Sequence, residues 1–138
     1  MIIVLANGCF DILHVGHIRH LQEAREMGDK LIVSLTVDNH VNKGPGRPIY
    51  SWADRAECLK ALSCVDCVIP SRSAVEAING VIPNIFVKGI DYAGRNQWTE
   101  DIEQACKSIG ADVRFTKAPK QSVTDIIKKV HDLSNGKV

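Results

Sequence analysis

His14 and His17 stand three residues apart in the stretch GCFDILHVGH, with Gly16 between them and Asp11 just upstream. Two imidazoles at that spacing, set where a helix begins, can donate hydrogen bonds to the oxygens of one anion. They would do so beside the unpaired N–H groups and the partial positive charge of the helix's first turn. Gly16 carries no side chain, so a ligand can come close to the backbone there. Asp11 has the donor oxygens to hold Mg²⁺ together with phosphate. The chemistry that suits these residues is the handling of phosphate oxygens. The two commonest glycine-rich phosphate cradles, G-x-G-x-x-G after the first strand and G-x-x-x-x-G-K-[ST], are absent from the chain. On these residues alone, a surface turn that happens to carry histidines stays open.

The elements around the motif decide where such a site would lie. Residues 2–6 form a short apolar run with three β-branched members, which predicts a buried strand. Residues 15–27 place Val15, Ile18, Leu21, Ala24 and Met27 at helical spacing, with Gly28 as a helix stop. Residues 30–38 predict a second strand, and 42–50, with two glycines and two prolines, a loop. Ser51 caps a helix to about residue 62, with Asp54 three residues on. Strands follow at 64–70, 84–89 and 112–116, helices at 73–80, 99–109 and 122–133. Gly80 and Gly110 close the first two of those helices, and Ser122 caps the last.

Strands alternating with helices predict an α/β fold, a Rossmann-like doubly wound parallel sheet of about five strands with helices on both faces. One domain is expected over residues 1–138. In such sheets ligands bind at the carboxyl ends of the strands, near the topological switch point. The strand ends here carry NGCFD, VDNHVNKG, KGIDYAG and TKAPKQS.

The formal net charge is +1, which gives no case for a general nucleic-acid binder, so any anion site must be local. No apolar run approaches the roughly 20 residues of a membrane span, and no signal peptide is read at the N-terminus. Five cysteines at irregular spacing do not form a disulfide framework and fit a reducing cytoplasm. Cys64 and Cys67 form a C-x-x-C. Within the predicted strand 64–70 they would face opposite sides, which argues against a metal or redox pair.

GCFDILHVGH closely resembles the H-x-G-H signature of the small nucleotidyltransferases, the cytidylyltransferase-like family. GDKLIVSLTVD and RPIYSWADRAECLKAL continue the resemblance, and IPNIFVKGIDY resembles the P-D-x-x-V-K-G-x-D-Y stretch of the ADP-heptose synthase adenylyltransferase domains. It covers nearly the whole chain. One segment departs: where the family commonly has G-x-S-T-T before the last helix, this chain has KQSVT. Ser122 and Thr124 match there, Val123 and Lys120 do not, and Lys117 stands where an arginine is usual.

The resemblance implies transfer of a nucleotidyl group from a nucleoside triphosphate to a phosphorylated acceptor, with release of pyrophosphate. His14 and His17 would contact the triphosphate, Lys43 the β- and γ-phosphates or the acceptor phosphate, and Arg55 a phosphate. Gly8, Cys9, Phe10 and Gly16 would line the nucleotide in the motif turn. Gly89, Asp91 and Tyr92 would surround base and ribose, Lys88 is a candidate phosphate ligand, and Ser122 and Thr124 would bind phosphate. Asp38 and Arg47 are candidates for the acceptor, and Asp11 for Mg²⁺. ATP with a sugar 1-phosphate of the heptose type leads, on VKGIDY and RPI. CTP with glycerol 3-phosphate or a similar alcohol phosphate is the alternative. No nucleic acid and no membrane is expected as a partner; a homodimer is. A non-catalytic nucleotide-binding sensor is the alternative of another class. The altered segment 120–124 motivates it, and the intact His14, His17, Lys43 and Arg55 argue against it.

Overall fold

The computed structural model describes residues 1–89, 99–117 and 123–136. The apolar runs become five strands: β1 (Ile3–Gly8), β2 (Lys30–Thr36), β3 (Cys67–Ser71), β4 (Ile85–Gly89) and β5 (Asp112–Thr116). Between them lie α1 (Val15–Arg25), α2 (Trp52–Lys60), α3 (Ala74–Val81) and α4 (Glu100–Ile109), and α5 (Val123–Ser134) follows β5. All pairings are parallel, in the order β3-β2-β1-β4-β5. The expected α/β parallel sheet is therefore what forms. Its switch point lies between β1 and β4, where successive strands begin to be added on the other side.

Side chains alternate across each strand, so β1 feeds two cores. Val4 and Ala6 join Leu31, Val33 and Leu35 beneath α1, through Leu21 and Ala24, and α2, through Ala56 and Leu59. Leu5 and Phe86 face the other way, onto Ala77 and Ile78 of α3 and Ile102, Ala105 and Cys106 of α4. Each large apolar side chain buried in this way contributes roughly 1.5–3 kcal/mol.

Three local expectations change. β3 starts at Cys67, not Cys64, because residues 64–66 are held in a turn. There the Asp66 carboxylate accepts Leu31 N–H at 2.8 Å and pairs with Arg25 at 3.1 Å. Cys64 and Cys67 thus do not share a strand, and the opposite-face argument does not apply to them. α3 does not end at Gly80. It runs to Val81 and closes on Ile82 at φ 52°, a left-handed conformation, just before Pro83. A β-branched residue there is strained. Gly28 stops no helix by a left-handed turn. α1 closes on Glu26, and a Cβ on Gly28 would lie 2.7 Å from Val4 Cγ2, so the glycine permits close packing.

Candidate functional site

The chain leaves β1 at the switch point and turns sharply into α1. Phe10 adopts φ 47° in that turn, and its buried ring folds back over Gly8, where an added Cβ would meet it at 2.9 Å. The same ring sets its edge against His17, centroids 5.1 Å apart. Gly8 and Phe10 thus shape the turn and support a histidine. Backbone strain of this kind concentrates at functional sites.

His14 is the N-cap of α1 and His17 its N3 residue, and the two form a reciprocal capping box. Gly16 N–H donates to His14 Nδ1 at 3.1 Å, and His14 N–H donates to His17 Nδ1 at 3.3 Å. The rings stack with centroids 3.7 Å apart. A ring nitrogen that accepts an N–H carries no proton, so the pattern assigns both neutral rings the Nε2–H tautomer. Each imidazole therefore accepts at Nδ1 from the helix terminus and carries its proton on Nε2, beside the positive end of α1.

Asp11 is buried, and its carboxylate is filled by N–H groups: Arg47 Nε at 3.0 Å, Ile49 N at 2.7 Å and Tyr50 N at 3.0 Å. Arg47 also donates through Nη2 to the Asp11 carbonyl. Burial pushes the Asp11 carboxyl upward, but the Ile49 and Tyr50 amides and Arg47 outweigh it and hold it below its ordinary 3.8. The expected magnesium ligand is thus a latch that pins the 42–50 loop to the motif turn. Arg47, expected at the acceptor, points inward. A protein-held Mg²⁺ does not fit this carboxylate, and no group of three or more His, Cys, Asp or Glu that could hold a metal occurs among the described residues.

Arg55 is not a surface residue. It is buried, with Nε on Tyr50 O at 3.0 Å, Nη1 on Cys9 O at 2.9 Å and Nη2 on Asp38 Oδ1 at 2.6 Å. One planar guanidinium thus braces the motif turn, the loop end and the short 3₁₀ turn Asp38–His40 after β2. Asp38 is engaged by Arg55 through one oxygen. Lys43 sits on the exposed part of the loop, between its ends at β2 and the Asp11 latch.

Across the switch point, Lys88 is buried near the end of β4. Its Nζ donates to Asn7 O at 3.2 Å and lies 5.5 Å from the Phe86 ring centroid. Burial pulls its ammonium down to about 8, against a smaller opposing effect of Cys9. Between about 8 and the ordinary 10.5 the unfolded chain binds more protons than the folded one, so folding stability rises with pH in that window. Lys88→Met should remove that rise, read as urea midpoints at both ends of the window. On α1, His20 Nδ1 meets Thr116 Oγ1 at 2.6 Å, and Glu23 accepts Lys117 N–H at 2.8 and 3.0 Å. Burial, aided by the Lys88 charge and opposed by Glu23, holds His20 at about 4.

The structure thus brings Gly8, Cys9, Phe10, Asp11, His14, Gly16, His17, Asp38, Arg47 and Arg55 into one region at the β1 and β2 ends, with Lys88 and Gly89 at the end of β4. Asp91, Tyr92 and Ser122, and the side chain of Thr124, lie outside what the structure describes. The sequence reasoning passed over Asn7 and His20. Asn7 had a signal: it is a polar residue closing an apolar strand, as are Ser34 in β2 and Ser71 at the end of β3.

A sequence profile of the family described as cytidylyltransferase-like matches residues 5–132. The bifunctional protein HldE of Pseudomonas savastanoi pv. phaseolicola is 43% identical over 133 residues, which are 93% of this chain and 27% of that protein. Its counterpart from Syntrophotalea carbinolica is 39% identical over 135 residues, 94% of this chain and again 27% of the relative. The chain therefore spans about a quarter of these relatives. Among solved structures, the lipopolysaccharide core biosynthesis protein of Thermoplasma volcanium GSS1 superposes with a TM-score of 0.71 at 29% identity, covering 88% of this chain and 99% of that one. Pantoate-β-alanine ligase from Francisella tularensis shares the fold, with a TM-score of 0.63 at 18% identity over 87% of this chain and 60% of that one.

Proposed function

The chain belongs to the cytidylyltransferase-like family, and from that membership we propose that it transfers AMP from ATP to a sugar 1-phosphate of the heptose type, releasing pyrophosphate. The observation that carries the transfer chemistry is the pair of capped histidines, His14 and His17, at the amino terminus of α1. The VKGIDY stretch and the HldE relatives favour the adenylyl and sugar side of the reading.

In this reaction an oxygen of the acceptor phosphate attacks the α-phosphorus in line with the departing group. One P–O bond forms to the acceptor, and the P–O bond joining the α- and β-phosphates breaks. The nucleophile is already anionic, so no base has to remove a proton. Negative charge moves onto the α-phosphoryl oxygens and the leaving pyrophosphate. The two Nε2–H groups, beside the positive end of α1, meet that charge as donors fixed in place before the reaction. Lys43 approaches the outer phosphates from its exposed loop, and Lys88 adds positive charge across the switch point. Arg55, Arg47 and Asp11 act at one remove, holding the turn and the loop that present the donors. Magnesium belongs to the triphosphate as it enters, and so to the substrate. The cysteine usage supports placing the protein in a reducing compartment.

The test is pyrophosphate release with ATP or CTP, Mg²⁺ and a panel of acceptors including heptose 1-phosphate and glycerol 3-phosphate. The expected result is ATP-dependent turnover with the sugar phosphate, lost in a His17→Ala control. A preference for CTP with the alcohol phosphate would move the protein to the cytidylyl class. Nucleotide binding without turnover would make it a sensor.

A further inference from the structure

Asn7 is the penultimate residue of β1, beside the switch point. Its Oδ1 accepts Ser34 Oγ at 2.6 Å and Ser71 Oγ at 3.3 Å, so three adjacent strands meet on one carboxamide. Both serines are almost wholly buried, at 0% and 2% exposure. Carrying hydroxyls into a sheet interior costs desolvation unless they are bonded, and here what they bond is Asn7. The other acceptor within reach of the Ser34 hydroxyl, Ala6 O, lies farther off at 3.5 Å. With both hydroxyls donating to Oδ1, Nδ2 is turned away from β2 and β3. On that other side stands Lys88, whose Nζ donates to the Asn7 carbonyl. Asn7 is itself only partly buried, and its Nδ2 donates to no group among the described residues.

We propose that Asn7 is a specificity-determining residue. Its Nδ2–H₂ group donates to an oxygen, hydroxyl or phosphate, of the substrate bound at the switch point, next to the Lys88 ammonium. Ser34 and Ser71 are positioning residues that act through it. This deepens the nucleotidyl-transfer reading and rests on it for the identity of the substrates.

The experiment compares Asn7→Asp, Asn7→Leu and the double variant Ser34→Ala/Ser71→Ala with the parent chain. KM for each substrate and kcat are measured, with calorimetric affinities for ATP, CTP and the acceptors, and melting curves. Asn7→Asp keeps an oxygen for the two serines and so keeps the fold, while losing the N–H donors. It should raise one KM roughly 3–10-fold, the size of a lost hydrogen bond to a substrate, with kcat changed less. A rise in the triphosphate KM assigns the bonded oxygen to the nucleotide, and a rise in the acceptor KM assigns it to the acceptor. A larger loss with Asp than with Leu marks a phosphate oxygen, and a smaller loss marks a hydroxyl, which can turn and donate to the carboxylate. The serine variant should raise the same KM although neither serine faces the ligand. Unchanged KM and affinity in both Asn7→Asp and Asn7→Leu overturn the proposal, and an unchanged serine variant overturns the positioning role of Ser34 and Ser71. If the parent chain turns over no substrate pair, the transfer reading fails by itself. The affinities then judge Asn7 separately: weaker binding in Asn7→Asp or Asn7→Leu supports the proposal, and equal binding in both, or none by the parent chain, overturns it.

Discussion

Replacing His17 with alanine should lower kcat roughly 10²–10³-fold, the usual cost of removing one fixed donor from a developing oxyanion. The measurement is pyrophosphate release at saturating substrates. His14 allows a finer separation, because the ring does two things at once. It caps α1 through Nδ1, and it offers Nε2–H to the ligand. His14→Ala should lose both, adding a stability cost of about 0.5–2 kcal/mol for the missing cap. His14→Asn should restore the cap, since asparagine is among the best N-cap residues, and leave kcat as low as in the alanine variant. If His14→Asn regains activity along with stability, the imidazole serves only the helix.

The second large effect belongs to Asp11. Asp11→Ala should destabilise the fold by about 3–5 kcal/mol, because it strands the Arg47 guanidinium, whose side chain is 8% exposed, without its counter-charge. That is a large part of the roughly 5–15 kcal/mol that holds a domain together. The Ile49 and Tyr50 amides lose their acceptor as well. Limited proteolysis should cut first within 42–50, and the kinetic loss should resemble that of Lys43→Ala, because the loop that carries Lys43 is no longer held. Cleavage spread evenly over the chain, or an unchanged urea midpoint, would refute the latch. Acid tests the same contact. The folded carboxyl lies below its ordinary 3.8, so the contribution is complete above that value and is lost as pH falls through the lower folded one. His20 acts in a separate window. Held at about 4 against an ordinary 6.5, it resists protonation in the fold, and its contribution declines as pH falls between those values.

The five strands and their order along the chain were legible because apolar runs such as IIVLA and KLIVSL need no partner to be recognised. The histidine turn was legible because its residues are contiguous. What could not be read was how charged residues far apart in the chain satisfy one another. Asp11 and Arg47 are 36 residues apart, and Arg55 and Cys9 are 46 apart. A sequence shows such residues singly, and singly an arginine near a phosphate motif reads as a ligand. Only the fold shows that Arg47, through Nε and Nη2, and Arg55, through all three nitrogens, donate to the protein itself. The start of β3 differs for a local reason. Cys64 and Val65 suit a strand, but Val65 N–H donates back to Leu62 O in the turn that follows α2.

The place of β1 at the centre of the sheet has a consequence for the order of assembly during synthesis. One edge of β1 meets β2 through pairs such as Val4 with Leu31, 27 residues apart, while its other edge waits for Ile85, 81 residues from Val4. At roughly 5–20 residues per second, several seconds pass between the emergence of the two partners. For that interval the central strand, with Val4, Leu5 and Ala6 fully buried in the finished fold, presents an open row of N–H and C=O groups to whatever the ribosome exit offers, and an unpaired edge is a template for wrong pairing. Yield in the cell should therefore respond to translation speed over residues 30–90 more than over any other stretch.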